Sequence, residues 1–231
     1  MKTLDHILKD LNDMADPEYI STMEYFGIKG APKTLLGIKN AFLKPYAKEL
    51  GKSQELACKL WDQNLHECKL LAIHVSEPKK FTREKAEKWI SECYSWDLVD
   101  GLGMRIISKT DFAYDKVKEW SSRQPEYEKR MAFAVMVGLS LASSKLSNEN
   151  IERFFPIIEK ESWDDRNFVK KAVNWALRQI GKRNLALNAK AIEVAEQIKL
   201  QNTKPARWIA ADALRELKSD KIQSRLKSKK S

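Results

Sequence analysis

Cysteine is scarce: Cys58, Cys68 and Cys93 form an odd, widely spaced set. That excludes a disulfide framework and a paired CxxC zinc motif, and leaves buried or inert thiols. Histidine is equally sparse. His6, His66 and His74 build neither an HExxH motif nor a triad order, and His66 with Cys68 lacks the two further ligands a zinc ion needs. No metal site is expected. No apolar run approaches the ~18 residues of a membrane span. The opening Met1-Lys-Thr-Leu-Asp-His-Ile carries no signal-peptide core, so a cytoplasmic location without membrane attachment is expected. Alternating β-branched runs are nearly missing, which argues against a sheet.

What is present is helical periodicity almost throughout, in a chain of 231 residues that is 43% hydrophobic, enough to bury a core in one domain or two small ones. Asp16-Pro17 reads as an N-cap followed by proline at the first helical position. Residues 27–37 read as a loop, and prolines at 78, 125, 156 and 205 mark further breaks. The segment from Lys170 to Ile180 aligns with that from Arg207 to Leu217 at an offset of 37, sharing Ala-Leu-Arg, and a looser echo begins at Lys129, 41 residues earlier. Periods near 40 built of paired helices are the mark of HEAT-like arrays. The pattern predicts an all-α protein, an α-solenoid of HEAT-like antiparallel helix pairs with a long concave surface, a helical bundle being the other reading. Residues 1–217 are read as one HEAT-like domain and 218–231 as a basic, frayed tail. That tail holds six lysines and arginines against Asp220, leaving about half of the net charge of +10 on the body.

Charge is unevenly placed. From 166 to 183 there are six basic residues and no acid. At ~100° per residue, Val169, Val173, Ala176, Leu177 and Ile180 form an apolar stripe, while Lys171, Trp175, Arg178 and Lys182 occupy the opposite face. A large aromatic among cations suits a polyanion. Trp96 and Asp100 are a second candidate pair, stacked at i and i+4 beside the Leu98/Leu102/Ile106 stripe with Gly103 on their own face. An aromatic ring beside a carboxylate suits a cationic group; packing of Trp96 with capping or ion pairing by Asp97 or Asp100 is the plainer reading. Arg130 enters a segment, 128–142, that is otherwise apolar nearly all round, so it needs a carboxylate or phosphate partner. Trp61, Trp89, Trp120, Trp163 and Trp208 read as packing residues.

Together, Ser-Trp-Asp-x-x-Asp at 95–100, Lys-Arg at 129–130 and Arg-Asn-Phe-Val-Lys-Lys-Ala-x-x-Trp-Ala-Leu-Arg at 166–178 resemble the AlkD-like family of HEAT-like-repeat DNA alkylation-repair glycosylases. Tyr25-Phe-Gly-Ile28 and Leu60-Trp-Asp62 are similar too, so the resemblance runs from about Glu18 to Leu217. It implies a right-handed α-solenoid or superhelix with a basic concave face, binding of double-stranded DNA, alkylated or structurally distorted, and hydrolysis of the N-glycosidic bond of cationic N3- or N7-alkylated purines. It further implies a monomer that uses no cofactor and is nucleoid-associated when bound. By residue matching, Asp100 is the catalytic carboxylate, Trp96 and Trp175 contact the lesion-bearing backbone, and Arg130 is a cleft cation. Lys170, Lys171, Arg178, Lys182 and Arg183 complete the expected DNA-binding set. A tryptophan that some members carry before Trp96 is Ser95 here. A non-catalytic binder of branched or damaged DNA, or a protein-interaction scaffold, is the alternative.

Overall fold

The computed structural model describes residues 2–29, 34–141 and 146–228, and among them there is no strand, only an isolated bridge between Thr34 and Leu65. The chain divides into two compact units, 1–110 and 111–231.

The first unit contains α1 (Leu4–Asp13), α2 (Pro17–Tyr25), α3 (Asn40–Leu50), α4 (Gln54–Trp61), α5 (His66–Val75), α6 (Arg83–Ser91) and α7 (Trp96–Arg105). Short side chains start these helices as the sequence suggests: Asp16 accepts the Tyr19 N–H with Pro17 in the first turn, and Ser53 and Thr82 do the same for α4 and α6. Helix α5 packs on α3, α4 and α7 and is buried nearly all round. Trp61 and Trp89 stack in this core with ring centroids 3.9 Å apart. The chain between α2 and α3 is held to α5 by one side chain. Fully buried Glu67 accepts the backbone N–H groups of Leu36, Gly37 and Ile38 at 3.0–3.3 Å. Gly37 sits at φ +78°, and a Cβ there would lie 2.0 Å from the Asp16 carbonyl, so only glycine fits this close approach. Residues 30–33 of the expected 27–37 loop lie outside the described residues.

The second unit contains α8 (Ala113–Trp120), α9 (Glu126–Ser140), α10 (Asn148–Glu152), α11 (Phe155–Lys160), α12 (Asn167–Gly181), α13 (Leu185–Leu200), α14 (Lys204–Leu217) and α15 (Asp220–Ser228). Helix α12 packs against α9 on one side and α14 on the other, with α13 against α12 and α14. The 41- and 37-residue offsets are therefore the steps between stacked neighbours. Helix α9 is the unit's centre: every residue from Met131 to Val137 is buried, at about 1.5–3 kcal/mol for each large aliphatic or aromatic side chain. Gly181 lets α13 and α14 close over the end of α12, because a Cβ there would meet Leu217 and Ala191 at 2.8–2.9 Å. Pro156 opens α11 rather than breaking a longer helix, since its missing N–H falls in the first turn.

Two expectations change. The tail is helical through Ser228, with Ile222 and Leu226 buried, because these two form an i,i+4 apolar pair that the lysines obscure. Trp61, Trp89 and Trp120 are core residues, but Trp163 and Trp208 are 56% and 42% exposed, lying under Lys129 and Lys170 as cation–π partners.

Candidate nucleic-acid interface

Helix α7 begins at a buried polar network. Ser95, fully buried and extended at the N-cap, gives its hydroxyl to Asp97 Oδ1 at 2.6 Å, and the Leu98 N–H donates to the same oxygen at 3.0 Å. Asp97 Oδ2 lies 2.9 Å from His66 Nε2, and His66 Nδ1 lies 3.0 Å from the Tyr94 hydroxyl. A carboxylate only accepts, so Nε2 carries a proton. Burial acts to raise the Asp97 carboxyl, but the His66 bond and charge, then Ser95 and the Leu98 N–H, hold it below the usual aspartate range. Burial pushes the Tyr94 phenol up. The first turn of α7 is thus clamped to α5, and His66, unremarkable in the sequence, is one jaw of the clamp.

That turn carries the two expected residues. Trp96 is half-buried, its indole N–H donating to the Phe26 carbonyl at 2.9 Å and its ring resting on a cluster of Met23, Ile28 and Leu35. It walls a mostly apolar cavity of about 300 Å³, shared with Tyr19, Phe26, Ile38 and Asp97. One turn on, Asp100 is half-buried, while Leu98, Leu102 and Gly103 face the core. Leu98 and Leu102 behave as the periodicity indicated, and Gly103 belongs to the buried side.

In the second unit Arg130 is buried and donates from Nη1 to the Phe168 carbonyl at 2.6 Å, tying α9 to the first turn of α12. This backbone oxygen is one of its partners. The neighbouring Lys129 makes buried ion pairs with Glu161 at 2.6 Å and Asp164 at 3.0 Å. Burial opposes ionisation of Asp164, yet Arg166 and Lys129 hold its carboxyl down at about 2.

On α12 the apolar stripe Val169, Val173, Ala176, Leu177 and Ile180 is fully buried as expected. Trp175 is half-buried, and its side chain makes no hydrogen bond or ring contact among the described residues. Lys171 is exposed with no ion pair among them. The other cations are engaged. Arg178 Nη1 lies 2.7 Å from Glu216 and 3.3 Å from Asp212, and Lys182 lies 3.0 Å from Glu216. Lys170 pairs with Asp165 at 2.7 Å, and Arg183 donates to the carbonyls of Leu141, just past the end of α9, and Leu146, just before α10. The acid-free run therefore does not act as a bare positive face, because α14 supplies the acids. The repeat alignment contained the signal: Asp212 stands 37 residues after Trp175, in its register position.

A family model described as DNA alkylation repair enzyme matches residues 7–217. A solved structure, described as a new family of proteins related to the HEAT-like repeat DNA glycosylases with affinity for branched DNA structures, matches with a TM-score of 0.74 at 19% identity, over 93% of this chain and 95% of its own. The fold is thus that of the HEAT-like repeat proteins, with α9, α12 and α14 as successive repeat helices. No curated protein matches the chain.

Proposed function

The chain belongs to the DNA alkylation repair enzyme family, and from that premise we propose that it binds duplex DNA and hydrolyses the N-glycosidic bond of cationic N3- or N7-alkylated purines, with Asp100 as the catalytic carboxylate. The observation that supports this most is the pairing of Trp96 and Asp100 on successive turns of a helix whose first turn is clamped by the His66–Asp97–Ser95 network. A catalytic carboxylate is useful in proportion to how firmly it is placed, and a fixed helix places it better than a loop.

The chemistry suits so small a site. A cationic alkylpurine departs as a neutral base, so no general acid is required. What remains is to stabilise an oxocarbenium-like sugar and place a water, which one ionised carboxylate away from bulk solvent does electrostatically. The face of Trp96, one turn from Asp100 on the same helix, adds cation–π attraction for the same charge. Arg130 is assigned through its hold on the first turn of α12, and Lys171 is assigned to phosphate contact because it is exposed and has no ion pair among the described residues.

The test is release of N7-methylguanine from methylated duplex DNA. Asp100→Asn is expected to abolish release while DNA affinity survives. Wild-type protein that frees no base where a known alkylpurine glycosylase does so overturns the enzymatic reading. A second reading, binding of branched DNA without catalysis, draws support from the affinity described for the solved relative. It predicts tighter binding to a four-way junction than to a duplex, indifferent to Asp100→Asn.

A further inference from the structure

The cations of the second unit are mostly paired, whereas a set in the first unit is not. Lys44 on α3, Arg105 at the end of α7, and Lys79 and Lys109 on the short 3-10 turns Pro78–Lys80 and Ile107–Lys109 are all exposed, and none forms an ion pair among the described residues. The two turns pack together. Between them lies a cavity of about 380 Å³ lined by Lys52, Lys79, Lys109, Ser76, Pro78 and Glu77. The one acid in that lining is spoken for: Glu77 accepts the Gln54 N–H and the Lys80 ammonium, both at 3.0 Å. Lys52 donates to the carbonyls of His74 and Ser76 at 2.6 and 3.3 Å. It thereby covers the negative end of α5, which otherwise repels an anion.

We propose that this cleft, framed by Lys44, Lys52, Lys79, Arg105 and Lys109, is a phosphate-binding site for the backbone of nucleic acid, in addition to the α7 and α12 positions. The assignment rests on the reading that the chain binds DNA. Ammonium groups on flexible stems act as point charges and suit the closely spaced phosphates of a duplex. An acidic peptide would bring backbone groups that need partners, and the described residues of this cleft offer no strand edge. The crowding of charge registers on His74, whose Nε2 faces Asn40 Oδ1 at 3.0 Å. Burial, reinforced by Arg105, Lys44 and Lys52, pushes the imidazole down to about 4. Lys52 is likewise lowered by burial and then by Lys109 and Arg105. Charges converge here that lie far apart in the sequence.

The experiment measures fluorescence anisotropy of a labelled duplex, and of a four-way junction, against the full chain over a salt series. For the triple variant Lys44→Gln, Arg105→Gln, Lys109→Gln the slope of log K on log salt is expected to shrink by ~0.9 for each phosphate no longer neutralised. Affinity at about 0.1 M salt falls on the order of tenfold to a hundredfold, with an unchanged melting curve because the three side chains are exposed and form no ion pair among the described residues. Added phosphates also offset the cations around His74, so its imidazole pKa, followed by NMR, is expected to rise on DNA binding in the wild type and not in the variant. A variant with wild-type slope and affinity overturns this site and leaves the DNA-binding reading intact. A wild-type chain that binds neither duplex nor junction overturns both. Binding of poly-glutamate that the triple substitution abolishes while DNA binding is untouched overturns nucleic acid as the occupant.

Discussion

The seam between α12 and α14 sets two demands on the same cations, and Asp212→Asn with Glu216→Gln separates them. Arg178 and Lys182 meet these acids at 2.7, 3.0 and 3.3 Å, in side chains that are between about one sixth and one third exposed. Burial acts to raise the Glu216 carboxyl, but Lys182 and then Arg178 hold it below the usual glutamate range, so the pairs are formed at neutral pH. Such half-buried pairs fall between the ~0.2–1 kcal/mol of surface pairs and the ~3–5 kcal/mol lost when a buried pair is broken. The amides keep acceptor oxygens, so roughly 1–2 kcal/mol of stability is expected to go. In a chain of this length that is a fall of about 2–8 °C in melting temperature. DNA binding moves the other way. Each cation released to meet a phosphate adds ~0.9 to the salt slope, so two add about 1.8 and tighten binding several-fold at low salt. Calorimetric melting and an anisotropy salt series read both effects. A variant that melts lower but keeps the wild-type slope and affinity shows that Arg178 and Lys182 serve helix packing alone, and removes them from the DNA-binding set.

Two further outcomes follow from buried carboxylates. Glu67→Ala strips the acceptor from three backbone N–H groups beside a glycine that cannot relax into another conformation; a loss of about 2–4 kcal/mol is expected in urea unfolding, and a loss below about 0.5 kcal/mol refutes the anchoring role. Asp164 titrates at about 2 in the folded chain against an ordinary 3.8, so the unfolded chain binds the extra proton between these values. Its contribution, roughly 2 kcal/mol, is present in full above pH ~4 and is lost as pH falls toward 2. Melting curves from pH 5 to 2.5 are expected to fall more steeply for wild type than for Asp164→Asn, and parallel profiles refute the assignment.

The helices and their faces were legible in the sequence. Leu98 and Leu102 on α7, and Val169 to Ile180 on α12, are buried where a 3.6-residue period puts them, because a face follows from local geometry. The repeat offsets were legible for the same reason, since each stacked helix must bury the same stripe, and the family was legible in the motifs at 95–100, 129–130 and 166–178. Burial of the other tryptophans was legible only in part. Trp61 is core and Trp208 half-exposed, since an aromatic side chain beside a lysine fits either place.

Electrostatics was decided by the tertiary structure. The run 166–183 has no acid of its own, yet Asp212 and Glu216 reach its cations from the next repeat. Conversely no basic run marks Lys44, Lys52, Arg105 and Lys109, which packing of α3, α5 and α7 gathers around His74 and Lys52. His66 and Asp97, 31 residues apart, become partners in the same way. Helix formation depends on neighbours within one turn, which the sequence displays, whereas a charge responds to distance in space, which only the fold determines.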